Sequence, residues 1–307
     1  MNGRHTNRIS WALALYATGI VCWILPVLAT AENPNTANFG PAAPVSAVND
    51  PNAADGCPIE STDGLDLVIA SRRGDGGDND IWTAHRDSID GPWQAPVQLS
   101  DMINTDDDDF CPTPVDRYLF FVSTRTAACS GGNIYLAHQS LSGEWSEPQI
   151  LPCAPDGPNF ATMFSPSLVE TDKATYLFYS SFGDTGDHDI YVSELGADGQ
   201  FGPGQIVEAL SRMGDDDRMP NVRHMGNGAY EVVYSSTRAT WGPADLPSMG
   251  GQDVYRSVSH HLPFQWKEPV NLGSNVNSAE SETRSTLSTD GERLYFGRSG
   301  EIYVSER

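Results

Sequence analysis

The sequence predicts an all-β protein, a five-bladed β-propeller in which the N-terminal strand closes the last blade, and three observations predict it. A unit of a little over fifty residues recurs five times, each copy opening on an aromatic at Phe39, Trp93, Trp145, Phe201 or Trp266. Within each copy, short apolar runs are bounded by Gly, Asp and Asn, which is how half-buried strands and their turns read. The fifth copy stops at Arg307 without its outermost strand, and the missing piece, Phe39 to Asn49, stands alone at the start of the first. A fixed period of this size marks an array of identical supersecondary units, and four-stranded units of this kind build propeller blades.

The elements follow in order within each unit. A first run leads into an Asp-Gly turn, as at Asp63-Gly64 and Asp290-Gly291, and then into a second run ending near a Ser-x-Arg, as in "LVIASR", "LFFVSTR" and "VVYSSTR". A polar loop and a third run follow: "NDIWTA" from Asn79, "GNIYLA" from Gly132, "HDIYVS" from His188, "QDVYRS" from Gln252 and "GEIYVS" from Gly300. A turn such as "SGEW" then leads to a short Pro-interrupted edge strand. Closing the ring with Phe39 to Asn49 removes the exposed edge that would otherwise template aggregation.

The residues before the fold read differently. Residues 1–31 carry Arg4 and Arg8, an apolar stretch from Trp11 to Leu28, and Ala29-Thr30-Ala31, the order of a cleaved signal peptide. That order predicts a periplasmic or secreted protein with no membrane span in the mature chain. Residues 32–38 read as a flexible leader and 39–307 as one propeller domain. The formal charge is −23, and removing residues 1–31 makes it more negative. Such a surface repels phosphate backbones and excludes nucleic acid as a partner.

The pattern of Ser-x-Asp-Gly, Ser-x-Arg, Asp-Ile-Tyr and Trp-x-x-Pro resembles the WD-like repeat of TolB-type periplasmic propellers. The residues that carry it are "STDGLDLVIASRRG…NDIW" and "STLSTDGERLYFGR…GEIY". The resemblance covers nearly everything after Phe39 and implies the propeller fold. It does not choose a function, because one repeat serves scaffolds, binding proteins and enzymes.

Candidate functional residues come from aligning the repeats on the slot of Pro58, Pro112, Pro166, Pro220 and Ser285. Three residues earlier stand Asp55, Asp109, Met163, Asp217 and Glu282, four carboxylates and one exception at the channel mouth. Two readings stand: each acid pairs with the Arg of its own Ser-x-Arg, or the ring binds a polar ligand or a cation. For a cation, calcium on Asp109 and Asp217 is the candidate because it favours oxygen ligands. Arg218 and Arg284 are expected at the same mouth, to neutralise the ring or to grip a ligand carboxylate. Met163 and Phe164 give the mouth one apolar side, and Trp241, in an insertion special to the fourth repeat, is a sugar-stacking candidate. His188 reads as a solvated loop residue.

Four of the five cysteines lie after the leader, an even number in an exported chain. The favoured pairing is Cys57 with Cys111 and Cys129 with Cys153, since each pair joins adjacent loops. Asn49 to Asn52, "NDPN", resembles the Asn-Asp-Pro nucleophile segment of five-bladed glycoside hydrolases acting on fructosides and arabinosides. The companion Arg-Asp-Pro and Glu-Cys motifs of the fructoside-cleaving group are missing, and the segment is read as a turn. The sequence therefore leads first to an exported protein binding a glycan, polymer or protein partner through an acidic loop face. Its alternative is a carbohydrate-active hydrolase or lyase using mouth carboxylates.

Overall fold

The computed structural model describes residues 38–307, apart from 75, 127–128, 130–131, 160–162, 183–185 and 241–245. The leader and Trp241 lie outside the described residues. Among the described residues, twenty-one strands are arranged as five antiparallel sheets. The innermost strands are β2 (Asp55–Glu60), β6 (Asp109–Val115), β10 (Met163–Glu170), β14 (Asp217–His224) and β19 (Glu282–Leu287). Each is followed outward by a second strand, β3 (Asp66–Ser71), β7 (Tyr118–Ser123), β11 (Thr175–Phe182), β15 (Tyr230–Ser236) or β20 (Arg293–Arg298). Third strands begin on the Asp-Ile-Tyr motif, and the last of them is β21 (Glu301–Glu306).

Closure is as the sequence predicts. β1 (Ala43–Pro44) pairs antiparallel with β21, with Ala43 opposite Val304 and Pro44 opposite Tyr303. Gly40 N donates to Glu306 O at 2.7 Å, and Val45 N donates to Ile302 O at 2.8 Å. Phe39 is buried, with the Arg307 guanidinium 4.9 Å over its ring. Deleting residues 39–49 is expected to expose β21 as an open edge. The truncated chain should elute as aggregates on size exclusion and melt well below the full chain. A monomeric truncation of equal melting temperature would contradict the closure.

The core lies between the blades. Val222 and Trp266 meet Phe178 and Ile190 in one cluster, Phe120 and Val122 meet Met163 and Tyr179 in the next, and the remaining clusters repeat this around the ring. The strand alternation predicts it, since each blade has two apolar faces and no solvent face.

A clamp also repeats. Asn104 takes Ile81 N (2.8 Å) and gives to Ile81 O (3.1 Å), and Asn277 does the same to Val254 (2.8 and 3.1 Å). Asn49 serves Ile302 in the same way, at 2.7 and 3.0 Å. The "NDPN" fragment therefore begins with a repeat clamp, which accounts for its Asn without any catalytic role.

Candidate functional site

Every innermost strand starts with the same local device. The residue that opens it faces the end of the second strand: Asp55 opposite Ser71, Asp109 opposite Ser123, Met163 opposite Ser181, Asp217 opposite Ser236 and Glu282 opposite Arg298. The four carboxylates are buried, and each holds an arginine. Arg73 Nη2 reaches Asp55 Oδ1 at 2.5 Å, Arg125 Nη2 reaches Asp109 Oδ1 at 2.7 Å, and Arg298 Nε reaches Glu282 Oε1 at 2.8 Å. Arg238 pairs with both oxygens of Asp217. The Ser of Ser-x-Arg orients the fork, as Ser71 Oγ and Ser123 Oγ accept from Arg73 Nε and Arg125 Nε at 2.7 and 2.8 Å. Burial pushes Asp217 up to about 6 despite the Arg238 hydrogen bond and charge. Burial also raises Glu282 against its bonds from Ser278 and Arg298.

The geometry thus follows the arginine-pairing reading of the ring. Asp109 and Asp217, the calcium candidates, turn toward their arginines rather than toward each other. Among the described residues no group of three or more His, Cys, Asp or Glu side chains comes together to hold a metal. The third repeat fits the same account: it lacks the acid, at Met163, and also the arginine, where its motif reads Ser181-Phe182-Gly183. Acid and base are lost together because either alone would be an unpaired buried charge.

What meets at the axis is the residue two positions further on. Cys57, Cys111, Ser165, Met219 and Arg284 all have positive φ, from 47° to 60°. Each sits in a register shift of its strand, such as that between Phe110 and Thr113. A bulge in the left-handed region re-aims a side chain that plain alternation would send elsewhere. Their contacts cross the ring: Cys57 Sγ lies 2.7 Å from Cys111 Sγ, and Ser165 Oγ is 3.3 Å from Cys111 Sγ. Arg284 reaches across from the fifth blade, its Nη2 donating to Thr113 Oγ1 at 2.8 Å and to Pro112 O and Pro166 O at 3.3 Å. Arg284 is therefore a buried plug of the channel and not a residue of the open mouth. The sequence carried the signal for this ring, since all five residues share the slot just before the aligned Pro.

Arg218 is placed at the rim, with Nη2 2.8 Å from Asp216 Oδ2. Asp216 Oδ1 also meets His188 Nδ1 at 2.9 Å. His188 corrects the expectation of a solvated loop: it is the first residue of a third strand (His188–Glu194), is buried, and packs on Phe164 and Phe182 with centroids at 5.4 and 5.1 Å. Burial lowers its pKa, against the Asp216 bond. Burial alone would raise Asp216, yet its bonds from His188 and Arg218 hold it below the usual carboxylate range. Phe110 extends the aromatic row, 5.9 Å from Phe164, and Phe182 keeps 44% of its surface exposed. Asp50 turns into its own loop, accepting from Asn52 N at 2.8 Å while its N–H caps Asp55 at 2.6 Å.

Of the four cysteines, Cys129 and Cys153 form a disulfide with Cα atoms 5.4 Å apart. Cys57 and Cys111 are adjacent but free. At the opposite end of the inner strands, a cavity of about 240 Å³ is lined by Glu60, Thr113, Ser167, Asn221 and Leu287 among others. No helix among the described residues is long and apolar enough to cross a membrane.

No family model matches the chain, and no curated protein matches it. Solved structures do. An arabinanase from Bacillus subtilis aligns with 86% of this chain and 96% of its own at 13% identity and a TM-score of 0.56. An endo-arabinase from Bacteroides thetaiotaomicron covers 88% and 98% at 15% identity, TM-score 0.57. An α-L-arabinofuranosidase from Podospora anserina, in complex with cellotriose, covers 89% and 98% at 11% identity, TM-score 0.57. At these identities the likeness establishes the class, a five-bladed β-propeller. The reported neighbours are glycoside hydrolases, so the TolB-type resemblance of the repeat carries to the architecture and gains no support as a family.

Proposed function

We propose that this protein is a carbohydrate-active hydrolase that receives its glycan at the face where the inner strands begin. The observation that supports the reading most is end-to-end similarity of fold to an arabinanase, an endo-arabinase and an α-L-arabinofuranosidase. That face carries groups suited to a sugar. Phe182 offers an exposed ring for stacking, and Asp216 and Arg218 offer an acceptor and donors to hydroxyls. Asp216 is ionised at neutral pH and suits a base or nucleophile. Hydrolysis would also need a second carboxyl roughly 5 to 9.5 Å away. Export through residues 1–31 belongs to the same proposal.

Glycan binding without hydrolysis is the second reading, and one observation favours it. The four ring carboxylates are occupied by arginines, and the axial ring of Cys57, Cys111, Ser165, Met219 and Arg284 contains no carboxyl. The full chain should be tested on linear arabinan and on arabinoxylan for release of reducing ends and for retention in affinity electrophoresis. Release that disappears in Asp216→Asn while retention persists is the hydrolase outcome. Retention without release, weakened in Phe182→Ala, is the binding outcome. A wild-type chain that neither cleaves nor is retained by either polymer overturns the carbohydrate reading.

A further inference from the structure

The axis of the ring holds chemistry that the carbohydrate reading does not use. Two thiols lie with sulfurs 2.7 Å apart, closer than unbonded sulfurs rest and longer than the roughly 2.05 Å of a disulfide. They come from adjacent blades, and both side chains are carried there by the left-handed bulge, at φ 49° in each case. Beside them is Arg284, fully buried, with the two cysteines and no carboxylate among the charged groups that act on it in the described residues. Its Nη2 is committed to Thr113, Pro112 and Pro166, while its Nε and Nη1 are buried without a hydrogen-bond partner. A buried guanidinium in that state needs an anion nearby. The neighbouring anion available is a thiolate.

We propose that Cys57 and Cys111 form a thiol–disulfide exchange site at the channel axis, with Arg284 as the positioning residue whose charge holds the thiolate of the reduced pair. The reactant class is a disulfide of the form R–S–S–R. Cys57 is the point of entry, because it is half-buried where Cys111 is buried, and its neighbour Gly56 presents no side chain to cover it. In the first step Cys57 loses its proton and its sulfur attacks one sulfur of the reactant. The reactant's S–S bond breaks, one R–S⁻ leaves, and a mixed disulfide remains on Cys57. In the second step the Cys111 thiolate attacks the Cys57 sulfur, forms the Cys57–Cys111 bond and expels the second R–S⁻. The reduced pair gives up its one proton and two electrons, and the reactant takes up both electrons and leaves as two thiolates, one of which takes that proton.

The surroundings favour Cys111 as the sulfur that closes the bridge. Burial alone would raise its pKa, but the hydrogen bond from Cys57, the charge of Arg284 and the Ser165 hydroxyl together bring it down to about 7. Cys57 moves the other way, raised by its bond to Cys111 and by burial, so one proton is held between the pair. The other axial neighbour, Met219, carries no charge. Closing the bridge removes the thiolate and leaves Arg284 without its anion, which keeps the disulfide reducible instead of permanently closed.

The test uses the full chain equilibrated in buffers of graded reduced-to-oxidised glutathione, quenched with acid, alkylated with N-ethylmaleimide and mapped by mass spectrometry. Cys129–Cys153 is the internal reference. The expected result is that Cys57 and Cys111 lose reactivity together, appear as one bridge, and return to two thiols with dithiothreitol while the fold is retained. Cys57→Ser should leave Cys111 unmodified by glutathione at the ratios that oxidise the wild type. Arg284→Gln should slow alkylation of the pair at pH 7 by about tenfold or more, as the thiol returns toward its ordinary pKa. Should that variant fail to fold, Ser165→Ala reads the same upward shift of the pH–reactivity profile. Two separate glutathione adducts, a pair inert at every ratio, a bridge reducible only after unfolding, or a pH profile unmoved in the folded variant would each overturn the proposal.

Discussion

Glu231→Gln is expected to destabilise the protein by about 3 to 5 kcal/mol, the usual cost of breaking a buried ion cluster by removing one partner. For a domain of this size that corresponds to a fall in Tm of roughly 10 °C. Glu231 lies on β15 and is fully buried. Three arginines converge on it: Arg223, Arg256 and, from the C-terminal residue of the chain, Arg307, whose Nη2 is 3.1 Å from Oε2. Arg256 is nearly buried itself, so the amide would leave three positive charges together with no anion and little water. Arg307 also covers the Phe39 ring, which ties this cluster to the closing strand. Burial alone would raise the Glu231 carboxyl, but the arginines overcome it and bring its pKa from 4.5 to about 2. A carboxyl depressed on folding stabilises the fold above its unfolded pKa. That contribution, about 3 kcal/mol, should be full above pH 4.5 and lost as the pH falls through 2. Urea unfolding of wild type and variant should therefore differ most near neutrality and converge in acid. A variant within about 1 kcal/mol of wild type at pH 7 would show that solvent, and not Glu231, carries those charges.

The sequence shows the fold because the repeat is written in residues with separate structural reasons. The Ser of Ser-x-Arg, the carboxylate that opens four of the five inner strands and the Asn that ends four of the five connections recur because each satisfies a specific partner: an Arg Nε, an Arg Nη2 or a third-strand amide. The missing outer strand of the fifth copy fixed the closure in the same way. The axial ring was harder to read. A strand alternates sides with a period of two, and on that pattern the opening carboxylate and the residue two positions on share a face. The bulge breaks the pattern, and it is encoded by no glycine: Cys57, Cys111, Ser165, Met219 and Arg284 all accept a positive φ that their side chains do not announce. Burial of His188 was hidden for a different reason, since its cover comes from Phe182, its partner across the turn from the preceding strand, and from Phe164 on the innermost strand, and neither contact follows from the polar residues that precede it.

The carboxylate–arginine ring should behave as a set of buried ion pairs whose members matter most when one is removed. Chelator should leave Tm unchanged, because the oxygens of Asp109 and Asp217 are already taken by Arg125 and Arg238. Asp109→Asn and Asp217→Asn should each cost about 3 to 5 kcal/mol by stranding an arginine. The two sit in blades that are not neighbours, so the double variant should lose close to the sum. A loss of that size approaches the whole stability of an ordinary domain. Burial holds Asp217 at about 6, above its ordinary 3.8, so desolvation outweighs the attraction of Arg238 and the pair as a whole contributes little net stability. Replacing both partners should then be far milder than replacing one. The third repeat supplies the design, with Met163 at the acid position and no arginine in its motif. Asp217→Met alone should be strongly destabilising, and Asp217→Met with Arg238→Met should recover most of the loss, giving a coupling of at least about 2 kcal/mol in a double-mutant cycle by urea unfolding. A melting temperature that falls on adding chelator, or a double variant as unstable as the sum of its singles, would show that the ring carboxylates do something other than hold their arginines.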